Sequence, residues 1–195
     1  MAKVRITGGE WRSRLIQVAD AEGLRPTPDR VRETLFNWLG QDLSGLNCLD
    51  LFAGSGILGL EAASRGAAHV TLVEKSRGVF EQLRRNAEPF RCDRVELLCC
   101  DAVKFFPSPA RRYDLVFLDP PYHQGWLDKV KPLLDGWVMP KARIYAEAEH
   151  RLERLGAWHV AKQGQAGQVF FTCWNGNEQR HRRLSGHFRS LHAWA

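Results

Sequence analysis

The sequence predicts an α/β fold: a mostly parallel, twisted sheet with helices on both faces, a C-terminal antiparallel hairpin, and an N-terminal extension made of a β-hairpin and a helix. Three observations predict it. From residue 47 onwards, short apolar runs alternate with helical stretches, and that alternation specifies parallel strands covered on both sides. The first of these runs opens through Gly54-Ser55-Gly56 into a helix, so backbone N–H groups collect at a helix N-terminus where a ligand can approach closely. The fourth run, YDLVFL, stops at Asp119-Pro120-Pro121-Tyr122, where two prolines end any ladder.

Each element has its own signal. In residues 3–18, Val4 and Ile6 alternate with Arg5 and Thr7, Gly8-Gly9 supplies a turn, and a second run resumes from Trp11 to Val18, a hairpin. Thr27 is a cap and Pro28 a first helical residue, with Asp29 near the positive end of the dipole. Val31, Leu35, Trp38 and Leu39 then form one apolar stripe, with Arg30 and Arg32 off it, and Gly40 stops the helix. Asn47–Phe52, His69–Glu74, Arg94–Cys99 and Tyr113–Leu118 read as strands buried on both faces. Helices over Ile57–Arg65 and Ser76–Glu88 and a short turn around Val103–Phe106 separate them. A helix near Trp126–Leu134, a strand at Arg143–Ala148, and a hairpin of Trp158–Lys162 and Gln168–Trp174 about a Gly-rich turn complete the body. Residues beyond Asn175 have no periodicity.

Composition bounds the function. The 195 residues, 44% hydrophobic and 26% charged, suit one globular domain rather than a disordered chain. No apolar run approaches the roughly 18 residues of a membrane span, and the start MAKVRITGGEWRSR lacks the apolar stretch of a secretory leader. Five cysteines without CxxC spacing favour neither a disulfide framework nor a zinc site. They fit a reducing cytoplasm, with Cys99 and Cys100 expected as core thiols. The net charge of +6 is concentrated at the ends: Lys3, Arg5, Arg12 and Arg14 face Glu10 alone, and Arg180, Arg182, Arg183 and Arg189 face Glu178. A near-neutral body between basic ends fits an enzyme that grips nucleic acid at its edges. The tryptophans Trp11, Trp38, Trp126 and Trp137 are expected in packing, Trp11 being the one that sits among arginines.

Gly54, Gly56 and Gly59 spell GxGxxG, and Glu74 follows Gly54 by 20 residues at the end of the second strand. By itself that pattern serves a dinucleotide as well as an adenosyl cofactor, since Glu74 can accept hydrogen bonds from ribose hydroxyls in both. Asp50 favours the second. A carboxylate in the strand feeding the loop repels a pyrophosphate and attracts a sulfonium and an amino group, by a few kcal/mol at ~4 Å. Asp101, after the third strand, is placed either to meet an adenine amino group or to cap a turn. The Asp119-Pro120-Pro121-Tyr122 tetrad suits an exocyclic amine whose lone pair is drawn into its ring. The Asp119 carboxylate and the Pro120 carbonyl can take both N–H groups, and Tyr122 can stack on an extruded base.

Residues 4–175 resemble the RsmD-type 16S ribosomal RNA guanine-N2 methyltransferases. The resemblance is carried by RITGGEWRSRLI, RPTPDRVRETLFNWL, LDLFAGSGILGLEAASRGA, LVEKSR and FLDPPY. It implies a Rossmann-like class I methyltransferase using S-adenosylmethionine, with S-adenosylhomocysteine as product and no metal. The cofactor would be held by Asp50, Phe52, Ala53, Gly54, Ser55, Gly56, Glu74, Lys75, Asp101 and Ala102. The target guanine would lie against Asp119, Pro120, Pro121 and Tyr122, and 16S ribosomal RNA or the small-subunit particle against Arg5, Arg12, Arg14, Arg25, Arg30 and Arg32. Residues 1–40 form an RNA-gripping extension, 41–175 the catalytic domain and 176–195 a basic tail, in a cytoplasmic monomer. Three other readings remain open on the residues: an N6-adenine or N4-cytosine DNA methyltransferase, a nicotinamide-dependent oxidoreductase, and a non-catalytic RNA-binding assembly factor.

Overall fold

A computed structural model describes residues 2–19, 29–105, 111–156 and 158–176. Thr27, Pro28, Arg25, Phe106 and the tail from 177 lie outside the described residues, so the expectations placed on them are not addressed. A small antiparallel pair, β1 (Lys3–Arg5) and β2 (Leu15–Gln17), precedes α1 (Asp29–Leu39). The body follows as β3 (Asn47–Asp50), α2 (Ile57–Ser64), β4 (His69–Glu74), α3 (Arg77–Ala87) and β5 (Val95–Cys99). It continues with β6 (Tyr113–Leu118), α4 (Trp126–Val130), α5 (Leu134–Trp137), β7 (Val138–Ala148), β8 (His159–Ala166) and β9 (Val169–Asn175).

Seven strands form one sheet in the order β5-β4-β3-β6-β7-β9-β8. The first five are parallel, and β9 and β8 add antiparallel at one side. Alternation along each strand divides the core. Cys48, Val70, Leu72, Leu115 and Phe117 face α1 and α2, while Leu49, Leu51, Val73, Val116 and Leu118 face α4, α5 and the turn at Ala102–Lys104. The chain runs from β3 outward to β4 and β5, then returns to β6 on the other side of β3. That reversal creates a crevice beyond the carboxyl ends of β3 and β6.

The N-terminal extension shares the body's core, since Ile6, Trp11, Ile16, Val31 and Leu35 pack in the same cluster as Leu60 and Ala63. The hairpin expected over residues 3–18 forms, but its second strand is shorter than expected. Lys3 pairs with Gln17 and Arg5 with Leu15, and Trp11 to Ser13 are turn rather than strand. The glycines instead dock the extension on the end of α2. Gly9 has φ +77°, and a Cβ there would lie 2.0 Å from the Ser64 carbonyl oxygen. The amides of Glu10 and Trp11 donate to the Ser64 carbonyl and hydroxyl at 2.7 and 2.8 Å. Beneath them a buried Glu61–Arg65 pair (2.7 Å) is bonded to Thr7, and the Arg65 guanidinium lies 4.4 Å from the centre of the Phe36 ring.

Other departures follow from position. β5 is the edge strand and only half-buried, so Cys99 is exposed and Cys100 half-buried rather than core thiols. The helix expected over Trp126–Leu134 is two short helices joined by a turn. The strand expected from Arg143 starts at Val138, and the closing hairpin runs to a two-residue turn at Gly167-Gln168. Gly164 lies within that strand because a Cβ would meet the Phe171 ring at 2.4 Å. Trp11, Trp126 and Trp137 are buried, and Trp11 stacks on Phe90 at 4.2 Å, which assigns it to packing. Among the described residues no helix is long and apolar enough to cross a membrane.

Candidate functional site

The glycine loop and the proline tetrad leave adjacent parallel strands at the same end. Asp50 of β3 pairs with Phe117 of β6, so Gly54 and Asp119 emerge side by side at the crevice. The loop is shaped by tight contacts. Gly56 has φ +85°, and a Cβ there would meet Leu83 at 2.4 Å; one on Gly59 would meet Leu72 at 2.8 Å. The glycines therefore seat α2 closely on β4 while leaving the loop backbone open to a ligand. Asn86, buried on α3, donates to the Ser55 carbonyl at 2.9 Å and exchanges bonds with Gln17 of β2, tying the loop to the extension.

Asp50 is buried, and its Oδ2 accepts the Gly59 N–H at 2.9 Å. Burial pushes its carboxyl up to about 7, with the nearby Glu74 adding in the same direction and the Gly59 N–H opposing. Glu74 bridges the ends of β4 and the loop, accepting Gly54 N–H at 3.1 Å and Ser76 N–H at 2.7 Å through separate oxygens. Each oxygen retains lone-pair capacity for a hydroxyl donor. Asp101 caps the Ala102–Lys104 turn by accepting the Val103 N–H at 3.0 Å, and Ala102 is buried. Ala53 donates to the Val73 carbonyl at 2.9 Å. Phe52 meets Trp126 edge to face at 5.7 Å, and the Lys75 ammonium lies 4.6 Å from the same indole. Two carboxylates lining a glycine cradle suit a ligand with cationic and hydroxyl groups, and count against a pyrophosphate. Among the described residues no cluster of His, Cys, Asp and Glu is arranged to hold a metal ion.

In the tetrad Pro120 is buried, Asp119 and Tyr122 are half-buried, and Pro121 is exposed. Beside it runs β7, with Leu118 opposite Ala146. The buried Tyr145 hydroxyl donates to Glu147 Oε1 at 2.9 Å, and Glu149 Oε1 accepts the His123 N–H at 3.1 Å. Burial first, then the neighbouring charges of Glu147 and Asp119, hold the Tyr145 hydroxyl well above the usual phenol range. Asn86, Glu147 and the Glu61–Arg65 pair were not among the expected site residues. Glu147 carries the signal that singles out Asp50, an acid inside an apolar strand (RIYAEA); Asn86 carries none.

Of the expected RNA contacts, Arg5, Arg12, Arg14 and Arg30 are exposed on the extension and α1. Arg32 is corrected. It is 0% exposed, paired with Asp29 at 2.6 Å and donating to the Arg5 carbonyl at 2.8 Å. It supports the strand that carries Arg5 and does not reach a phosphate.

A glycine loop beside a proline-ended strand, at the reversal point of this sheet, defines a class I methyltransferase. A family model described as "Conserved hypothetical protein 95" matches residues 4–175. The ribosomal RNA small subunit methyltransferase D of Escherichia coli strain K12 is 42% identical over 182 residues, covering 91% of this chain and 92% of its own. The protein of that name from Haemophilus influenzae is 44% identical over 153 residues, covering 75% and 79%. A solved methyltransferase structure from Escherichia coli superposes with a TM-score of 0.82 at 41% identity, over 90% of this chain and 99% of that one. The chain belongs to this RsmD family.

Proposed function

We propose that the chain transfers a methyl group from S-adenosylmethionine to the exocyclic N2 amine of a guanine in 16S ribosomal RNA, working as a cytoplasmic monomer on the small subunit or its precursor. The observation that carries this reading is the emergence of Asp119-Pro120 and Gly54–Gly56 side by side, over a buried Asp50. The RNA target rests on the relatives' name and on the exposed Arg5, Arg12, Arg14 and Arg30. In this reading residues 1–40 grip RNA and 41–175 carry the chemistry.

The residues divide the work. Asp50 attracts the cationic end of the cofactor, Glu74 accepts its ribose hydroxyls, and Asp101 and Ala102 edge the adenine side, with Phe52, Ala53, Ser55 and Lys75 completing the wall. S-adenosylmethionine supplies a methyl group made electrophilic by its sulfonium. Asp119 and the Pro120 carbonyl hold the two amine hydrogens, turning the nitrogen lone pair towards that methyl, while Tyr122 stacks on the base. Such orientation is worth roughly 7–11 kcal/mol of barrier. As the N–C bond forms and the C–S bond breaks, the amine must lose a proton, and in this reading Asp119 takes it.

The test is mass mapping of small-subunit RNA after incubation with the protein and S-adenosylmethionine. One N2-methylguanine is expected. Asp119→Ala should abolish it while RNA affinity stays within about threefold. Full turnover by that variant, or a methyl on adenine or cytosine, refutes the reading.

A further inference from the structure

β7 continues the site on the far side of the tetrad. Tyr145 and Glu147 lie two apart on one face of the strand, and Glu149 follows just past its end. The last holds the backbone of His123, just past the tetrad, and the first holds Glu147. Leu118 is opposite Ala146, and the residues that follow them are Asp119, just past the end of β6, and Glu147. Glu147 is 2% exposed. Burying a carboxylate is destabilising unless it is well bonded, so its place at the carboxyl end of β7, beside the tetrad, points to use rather than to stability.

The chemistry of the proposed substrate calls for one more acceptor. A guanine presents three donors in a row along its pairing edge, the two N2 hydrogens and N1–H. Asp119 and the Pro120 carbonyl meet only the first two. An adenine presents a lone pair at N1, which a carboxylate repels. The geometry points to Glu147, held by the Tyr145 hydroxyl, as the residue that accepts the guanine N1–H and so selects guanine over bases lacking that hydrogen. This rests on the guanine-N2 reading above and deepens it. The Tyr145 hydroxyl donates to Glu147 Oε1 at 2.9 Å, and the two oxygens of a carboxylate together offer about four lone-pair positions.

The experiment compares small subunits reconstituted with guanine or with 2-aminopurine at the methylated position. 2-Aminopurine keeps the exocyclic amine but carries a lone pair at N1. The native protein should favour guanine by about 10- to 100-fold in kcat/KM, the worth of one charge-assisted hydrogen bond. Glu147→Gln keeps an acceptor for Tyr145 and offers an amide N–H to N1. It should lose most guanine turnover while methylating 2-aminopurine as well as the native protein does or better, so the ratio falls to within about threefold. Tyr145→Phe should give an intermediate ratio. Equal use of both bases by the native protein, or an unchanged ratio in Glu147→Gln, overturns the inference and leaves the guanine-N2 reading intact. Should Glu147→Gln fail to fold, the native ratio and Tyr145→Phe still decide. A native protein that methylates no guanine overturns the earlier reading, and this one with it.

Discussion

Replacing Asp50 with Asn should stabilise the ligand-free protein in alkaline solution and hardly at all in acid. Burial raises the Asp50 carboxyl from an ordinary 3.8 to about 7. Its folded-state pKa lies above its unfolded one, so between those values the folded chain binds more protons. Stability therefore falls as pH rises from about 4 to about 7 and levels off beyond. At 1.36 kcal/mol per pKa unit, this group alone costs the native protein roughly 1–2 kcal/mol at pH 5 and roughly 4 kcal/mol at pH 8. Asn keeps a carbonyl oxygen for the Gly59 N–H but has no charge to bury, and any penalty for its amide hydrogens is the same at both pH values. The difference in unfolding free energy between Asp50→Asn and the native chain should widen by roughly 2–3 kcal/mol from pH 5 to pH 8. Urea unfolding followed by circular dichroism reads this directly. A constant difference, within about 0.5 kcal/mol, shows that Asp50 is not the strained carboxylate described here. The same variant should bind S-adenosylhomocysteine at least tenfold more weakly at pH 8, because the charge that destabilises the empty protein attracts the ligand's ammonium.

Other outcomes follow from the extension. Four exposed arginines (Arg5, Arg12, Arg14 and Arg30) on RNA phosphates should give a slope of about −3 to −3.6 for log affinity against log salt. Arg30→Ala should flatten it by about one unit, and an unchanged slope removes Arg30 from the RNA face. Arg32→Ala should leave the slope alone yet lower stability by about 2–4 kcal/mol in urea unfolding, since a buried side chain and its bonds are lost. A slope shift without destabilisation would return Arg32 to the RNA face. Gly9→Ala, forced against the Ser64 carbonyl from a positive φ, should cost about 2–5 kcal/mol and expose the hairpin to limited proteolysis; native-like stability contradicts the docking described for Gly9.

The parallel sheet was legible because its strands are short, apolar on both faces and punctuated by helices. The crevice was legible because the glycine loop and the tetrad each announce a strand end. What escaped depended on partners distant in sequence. Gly8-Gly9 has the composition of a hairpin turn, and only Ser64, folded against it, makes it a docking surface. Arg32 looks like any surface arginine until the Arg5 carbonyl and Asp29 close around it. The exposure of Cys99 follows from β5 lying, among the described residues, at the edge of the sheet, which local patterning does not encode. Glu147 could have been found by applying to RIYAEA the reasoning already applied to LDLFAG around Asp50. Asn86 could not, because an asparagine on an amphipathic helix carries no mark of the two carbonyls it will meet.

The seam between the hairpin and α2 has a consequence for how a target is chosen. Glu61, Arg65, Thr7 and Ser64 bond the arginine-bearing hairpin directly to the end of α2. The span from Arg12 to Asp119 is thus a constant, like the opening of a caliper locked at one width. On the proposed RNA target, a tool of that kind would pick out a nucleotide by where it stands on a folded ribonucleoprotein, and pass over the same letter in a slack strand.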